Sequence, residues 1–318
     1  HRGGRGISGQ STREEDYVEK LITTTTHHFL LCFTNTGRVF KMKGYNIPET
    51  SSRTARGTAI VNILKLQEGE KIKNIIPVCN FDAEDQYLTI ATKNGVIKKT
   101  SLASYANINK NGLIAVNIRE EDALVDASLT TAEQEIMLVT KNGKAIRFKA
   151  DDVRAMGRNS TGVRGIKLVG DDEVVGMVPV TEDGELLVIS RKGMGRRTTL
   201  DGYKTQHRGG TGLITYKTTE KTGELVGCTL VGDDKDLLIV TDSGVVIRLA
   251  TSEIPTLSRA TSGVKLMRAN DASIVDFAIV DHFEEEEDAT ITEEGEESVS
   301  DVAPEADTPS EDASEDNQ

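Results

Sequence analysis

No stretch of this 318-residue chain reaches the ~18 apolar residues that a membrane-spanning helix needs, so no membrane partner is expected. The opening His1-Arg-Gly-Gly-Arg-Gly lacks the apolar core of a secretory signal. It begins on histidine rather than an initiator methionine and reads as a piece of something longer. Cysteine is scarce. Cys32, Cys79 and Cys228 are too few and too scattered for a disulfide framework or a zinc site, and they suggest a reducing cytoplasm. The five histidines show no metal-binding spacing, and no nucleophile elbow is present. Gly209-Gly-Thr-Gly lacks the Lys-Ser/Thr that a phosphate loop requires. No catalytic residue, metal or cofactor is therefore expected in this stretch, and His27-His28 reads as a turn pair ahead of a strand.

Positive charge is missing from one end. No Lys or Arg follows Arg268, while 17 of the 51 acids lie from Asp281 onward. Residues 1–280 keep 34 acids against 38 bases, about +4, beneath a formal net charge of -13. A mildly basic body with a strongly acidic end points to a polyanion partner and an anionic regulator. Residues 281–318 hold few large apolar groups and repel themselves, which predicts a disordered tail. Its role stays open between a solubility tail and a DNA mimic competing for the basic body.

What is abundant is repetition. Five segments carry an apolar strand, a glycine turn and a basic strand, with turn glycines Gly37, Gly95, Gly143, Gly193 and Gly244. These lie 58, 48, 50 and 51 residues apart. Asn-Gly in two of them predicts two-residue primed hairpins. A second glycine opens a third strand at Gly57, Gly112, Gly162, Gly212 and Gly263, as in Ala59–Leu64 or Leu113–Ile118. A fourth strand closes each unit: Ile72–Val78, Ala123–Leu129, Val174–Val180, Leu225–Val231 and Ile274–Val280. Four strands per ~50 residues predict propeller blades.

Gly6 precedes Gly37 by 31 residues, the same gap as Gly112 to Gly143, so Arg5-Gly6 occupies a second-glycine position. Ile7–Gln10 and Tyr17–Thr23 then become the third and fourth strands of a first blade without its hairpin. The expected body, residues 1–280, has six blades: a partial one at 1–26, then about 27–80, 81–131, 132–181, 182–232 and 233–280.

The cations follow the same register. Around the hairpins lie Arg38, Lys41, Lys43, Lys98, Lys99, Lys144, Arg147, Arg191, Lys192, Arg196, Arg197 and Arg248. Before or beside the second glycine lie Arg2, Arg5, Arg53, Arg56, Lys110, Arg154, Arg158, Arg164, Lys204, Arg208 and Arg259. Repeated around an axis they predict a belt of charge, which matches the continuous phosphate line of duplex DNA and could bend it. Arg2-Gly3-Gly4-Arg5-Gly6 adds two cations on a backbone with little steric cover. Gln206-His-Arg-Gly-Gly-Thr-Gly212 is a degenerate copy.

Through these residues the sequence resembles the C-terminal domain of the A subunit of bacterial DNA gyrase. The resemblance rests on the Arg2–Gly6 box, Tyr17-Val-Glu-Lys-Leu-Ile, Thr26-His27, Arg56-Gly57, Ile60–Leu64, Val153-Arg-Ala-Met-Gly157 and Asn159–Ile166. Two departures stand out: the box's leading glutamine is absent, and His1 stands where the family usually has arginine. The resemblance implies an all-β, six-bladed pinwheel with exchanged strand order, wrapping DNA around a basic perimeter. It implies a parent type IIA topoisomerase in which wrapping lets ATP-driven strand passage introduce negative supercoils. ATP, Mg2+ and the cleavage tyrosine would then act in other domains. Expected partners are the cleavage domain of the same polypeptide and the gyrase B subunit, in a cytoplasmic heterotetramer with two copies of each. The counterpart in topoisomerase IV and a protein-binding propeller scaffold are the competing readings.

Overall fold

A computed structural model describes residues 7–8, 24–49, 57–267 and 272–282. The chain divides into two units, His1–His282 and Phe283–Gln318, and all described residues fall in the first. The expected acidic tail and the fourth strand at Tyr17–Thr23 lie outside them.

The described residues form five four-stranded antiparallel sheets. Each begins with an inner strand beside a central cavity of about 890 Å³. These inner strands are Ile72–Val78, Leu124–Thr130, Val174–Pro179, Leu225–Val231 and Ile274–Asp281, and each packs against the next. A hairpin follows outward, for example Phe29–Thr34 with Arg38–Lys43 or Glu135–Thr140 with Lys144–Lys149. Both faces of a hairpin meet neighbouring blades, so apolar residues run continuously along its first strand, as in Ile136–Val139.

The outer strand breaks the simple repeat. Leu113–Ile114 does not join the hairpin of its own repeat but pairs with Arg38–Lys43 of the preceding one. Val163–Arg164, Leu213–Ile214 and Val264–Lys265 do likewise. Ile7–Ser8 completes the last sheet against Val245–Val246, so the two ends of the repeat series share one blade. No blade is thus a contiguous segment such as 27–80. Five sheets are described rather than six.

Three further expectations change. The third strands shorten to two residues because the next two amides turn to the preceding hairpin glycine. The N–H groups of Thr215 and Tyr216 both donate to the Gly143 carbonyl, at 2.8 and 3.1 Å. Ala59–Leu64 is not a strand but contains a 3-10 turn at Ile60–Asn62, with Ile60 and Val61 exposed.

The hairpin loops have three residues, not two. Asn94 and Asn142 keep negative φ, whereas Gly95 and Gly143 adopt +81° and +83°. This is the type I turn with a left-handed third residue. Gly143 is doubly constrained, since a Cβ there would lie 2.1 Å from the Tyr216 carbonyl oxygen.

Candidate nucleic-acid interface

The most regular cation of the repeat stands four residues after each hairpin glycine, at Lys41, Lys99, Arg147, Arg197 and Arg248. In the first four it reaches across to the 3-10 turn of the next blade. Lys41 donates to the Ala106 carbonyl and Lys99 to that of Ala150 at 3.0 Å. Arg147 donates to Leu200 and Tyr203, at 3.2 and 3.4 Å, and Arg197 to Ile254 at 2.9 Å.

Behind each of the five cations, eight residues before the glycine, stands a matching group. The lysines lie over aromatic rings, Lys41 at 5.2 Å from Phe29 and Lys99 at 4.8 Å from Tyr87. The arginines hold carboxylates: Arg147 on Glu135 at 2.7 Å, Arg197 on Glu185 at 3.3 Å and Arg248 on Asp236 at 2.6 Å. A compact ammonium suits a ring face and a planar fork suits a carboxylate. Burial alone would raise the Glu135 pKa; hydrogen bonds from Thr205 and Arg147 and the Arg147 charge hold it below its usual value. The first four of these cations clasp blade to blade.

The adjacent pairs Lys98-Lys99 and Arg196-Arg197 are all buried, which corrects their expected place on a surface belt. Neighbouring strand residues point to opposite faces, and here both faces are covered. Lys98 donates to the carbonyls of Ala115 and Arg158. Arg196 occupies the equivalent position two blades on, fully buried beside Tyr203 and Tyr216.

Burial, helped by the Arg158 charge, pushes Lys98 down to about 8. An unfolded lysine keeps its proton to about 10.4, so between these values the unfolded chain binds more protons and wild-type stability gains with pH. Cys32 and Tyr105, each raised to about 12 by burial, titrate in the opposite sense but cancel between variant and wild type. The unfolding free energy of Lys98→Met, relative to wild type, should therefore fall by about 3 kcal/mol from pH 7 to 10.5. Parallel denaturation curves at the two pH values measure it; a constant gap would mean a solvated lysine.

Arg38 is also committed. It binds Glu70 at 2.6 Å and the Asn111 carbonyl. The Glu70 side chain is enclosed and also accepts from Thr34 at 2.7 Å, Thr36 at 3.0 Å and the Gln67 N–H at 2.8 Å. Burial alone would raise its pKa; these contacts outweigh it and hold the carboxyl low.

Exposed cations are spread over several elements, Lys71, Lys73, Lys110, Lys149, Arg154, Lys204 and Lys221 among them, and one set lies on or just after the outer strands. Arg164 is exposed, as are Lys167, Lys217 and Lys265, which the hairpin-centred reading missed. Their signal was the second glycine: Arg164 and Lys265 stand two residues after it, Lys167 and Lys217 five. None of the four side chains has a polar partner among the described residues. Arg208 and Arg259, four residues before their glycines, donate to the carbonyls of Arg164 and Ile214 at 3.0 and 2.9 Å and so cap outer-strand edges. Lys43, Arg191 and Lys192 are exposed, Lys144 and Arg158 half-buried; Arg191 is tied to Glu224 at 3.0 Å. Arg2, Gly3, Gly4, Arg5, Gly6 and Arg56 lie outside the described residues. No metal-holding cluster of His, Cys, Asp or Glu occurs among the described residues.

Exchanged outer strands around a central cavity, with cations along the edge that have no polar partner among the described residues, define a propeller-like all-β module. A family model described as the DNA gyrase C-terminal domain, beta-propeller, matches residues 1–25, 28–79, 86–131, 134–181, 184–231 and 235–281. The DNA gyrase A subunit of Halalkalibacterium halodurans is 54% identical over 296 residues, covering 92% of this chain and 35% of that protein. That of Streptococcus pneumoniae is 52% identical over 297 residues, covering 93% and 36%. The chain spans about a third of the length of these relatives. A solved gyrase A C-terminal domain superposes with a TM-score of 0.79 at 24% identity, covering 87% of this chain and 91% of that one. The C-terminal domain of DNA topoisomerase IV gives 0.73 at 23%, covering 85% and 84%, and both share the fold. The chain belongs to the family of DNA gyrase A C-terminal domains.

Proposed function

We propose that this chain binds duplex DNA without sequence preference along the outer edge of its sheets and bends it there. The observation that carries the reading is the recurrence of exposed cations with no polar partner among the described residues at two fixed distances from second glycines, Arg164 and Lys265 two residues after and Lys167 and Lys217 five residues after. Cations at fixed rim positions track a backbone, whereas a pocket would converge them. The bend would present DNA to the cleavage domain of the same polypeptide. In a cytoplasmic heterotetramer with the gyrase B subunit, ATP-dependent strand passage would then introduce negative supercoils. ATP and Mg2+ would act in those other domains, and this portion would carry no chemistry. The Arg2–Gly6 box favours gyrase over topoisomerase IV.

Titrating the chain with duplexes of unrelated sequence should give one common affinity that drops by about 10³-fold or more between 50 and 200 mM salt. End-labelled duplexes should show a bend by energy transfer. A flat salt response would leave the protein-scaffold reading in its place.

A further inference from the structure

The outer strands carry a second pattern besides charge. In the four outer strands whose side chains are described, each of two residues, the first, at Leu113, Val163, Leu213 and Val264, is half-buried. In these four the second faces outward and alternates in kind, Ile114, Arg164, Ile214, Lys265; the fifth outer strand ends in Ser8. Ile114 is 50% exposed and Ile214 48%. Isoleucine on the free edge of a sheet invites pairing with other chains. At Ile214 that pairing is obstructed, because Arg259 already caps the strand carbonyl at 2.9 Å. The edge therefore offers an apolar side chain without the backbone groups a second strand would need.

Resting on the DNA reading above, we propose that Ile114 and Ile214 are contact residues for the duplex itself. They would pack on the deoxyribose-lined wall of the minor groove, while Arg164 and Lys265 on the intervening blades hold phosphates. A duplex curving over a surface presents its minor groove and its backbone in turn. The sugars offer apolar surface at every nucleotide, so such contacts carry no sequence preference. The charge complementarity of the alternate blades identifies the occupant as DNA, and the isoleucines set how closely it is drawn in.

The test is the Ile114→Ser/Ile214→Ser double variant of the full chain, beside wild type, with a mixed-sequence duplex at several salt concentrations. Thermal melting should match wild type, since both positions are outside the core. Duplex affinity should fall about tenfold, from the lost apolar burial at two half-exposed sites, and the bend should relax. The slope of log affinity against log salt should stay unchanged, because no phosphate contact is lost. Wild-type affinity and bend in the variant would overturn the proposal while leaving the DNA reading intact. Loss of self-association by sedimentation with unaltered DNA binding would assign the isoleucines to contacts between copies and also overturn it. A wild type without salt-dependent duplex binding would bring down both.

Discussion

Reversing Arg164, Lys167, Lys217 and Lys265 to glutamate together should lower duplex affinity by about 10³-fold or more near 0.1 M salt. It should also flatten the salt dependence. Each phosphate contact releases condensed counterions and contributes a slope of about 0.9 in log affinity against log salt, so losing four should reduce it by about 3 to 4. Folding should survive, since all four side chains are exposed and lack polar partners among the described residues. Added repulsion at the reversed sites makes the affinity loss exceed that of neutral substitutions. Fluorescence anisotropy over a salt series measures both quantities, and thermal melting checks the fold. A slope within error of wild type would take these cations off the DNA path and, with them, the reading built on the outer edge.

The sequence makes the blades readable because glycine is needed for conformation. Gly37, Gly95, Gly143, Gly193 and Gly244 all have positive φ, and Gly37, Gly95 and Gly143 closely approach a neighbouring backbone, so their spacing sets the period. Strand exchange is harder to see. It depends on which hairpin a two-residue strand pairs with, and the deciding contacts are carbonyls such as that of Gly143, which any sequence possesses. The candidate site was half legible for a related reason. A basic strand suggests an exposed face only if the sheet has one, and here blades cover both sides of Lys98-Lys99 and Arg196-Arg197. A subtler pattern was available. Phe29 and Tyr87 accompany lysine at the clasp position, whereas Glu135, Glu185 and Asp236 accompany arginine. Paired changes of that kind mark contact between two side chains, not solvation of each.

That pairing yields the second large effect. Arg147→Ala should cost about 2–4 kcal/mol and lower the melting temperature by about 5–10 °C. It removes the hydrogen bond to Glu135 and those to the Leu200 and Tyr203 carbonyls, and it strands a carboxylate that is only 20% exposed. Arg147→Lys should recover little, because one ammonium cannot serve Glu135 and reach both carbonyls in the next blade as the guanidinium does. Combining Arg147→Lys with Glu135→Tyr should recover most of the loss. It recreates the arrangement of the hairpin carrying Tyr87 and Lys99, where Lys99 lies 4.8 Å from the Tyr87 ring and still reaches the Ala150 carbonyl. Melting of the three variants against wild type checks the order. The salt slope of DNA binding should be unchanged in the double variant, since a clasp between blades holds no phosphate. Destabilisation by Arg147→Lys and Glu135→Tyr that simply adds would refute the coupling. A reduced salt slope in a fully folded double variant would return Arg147 to the DNA surface.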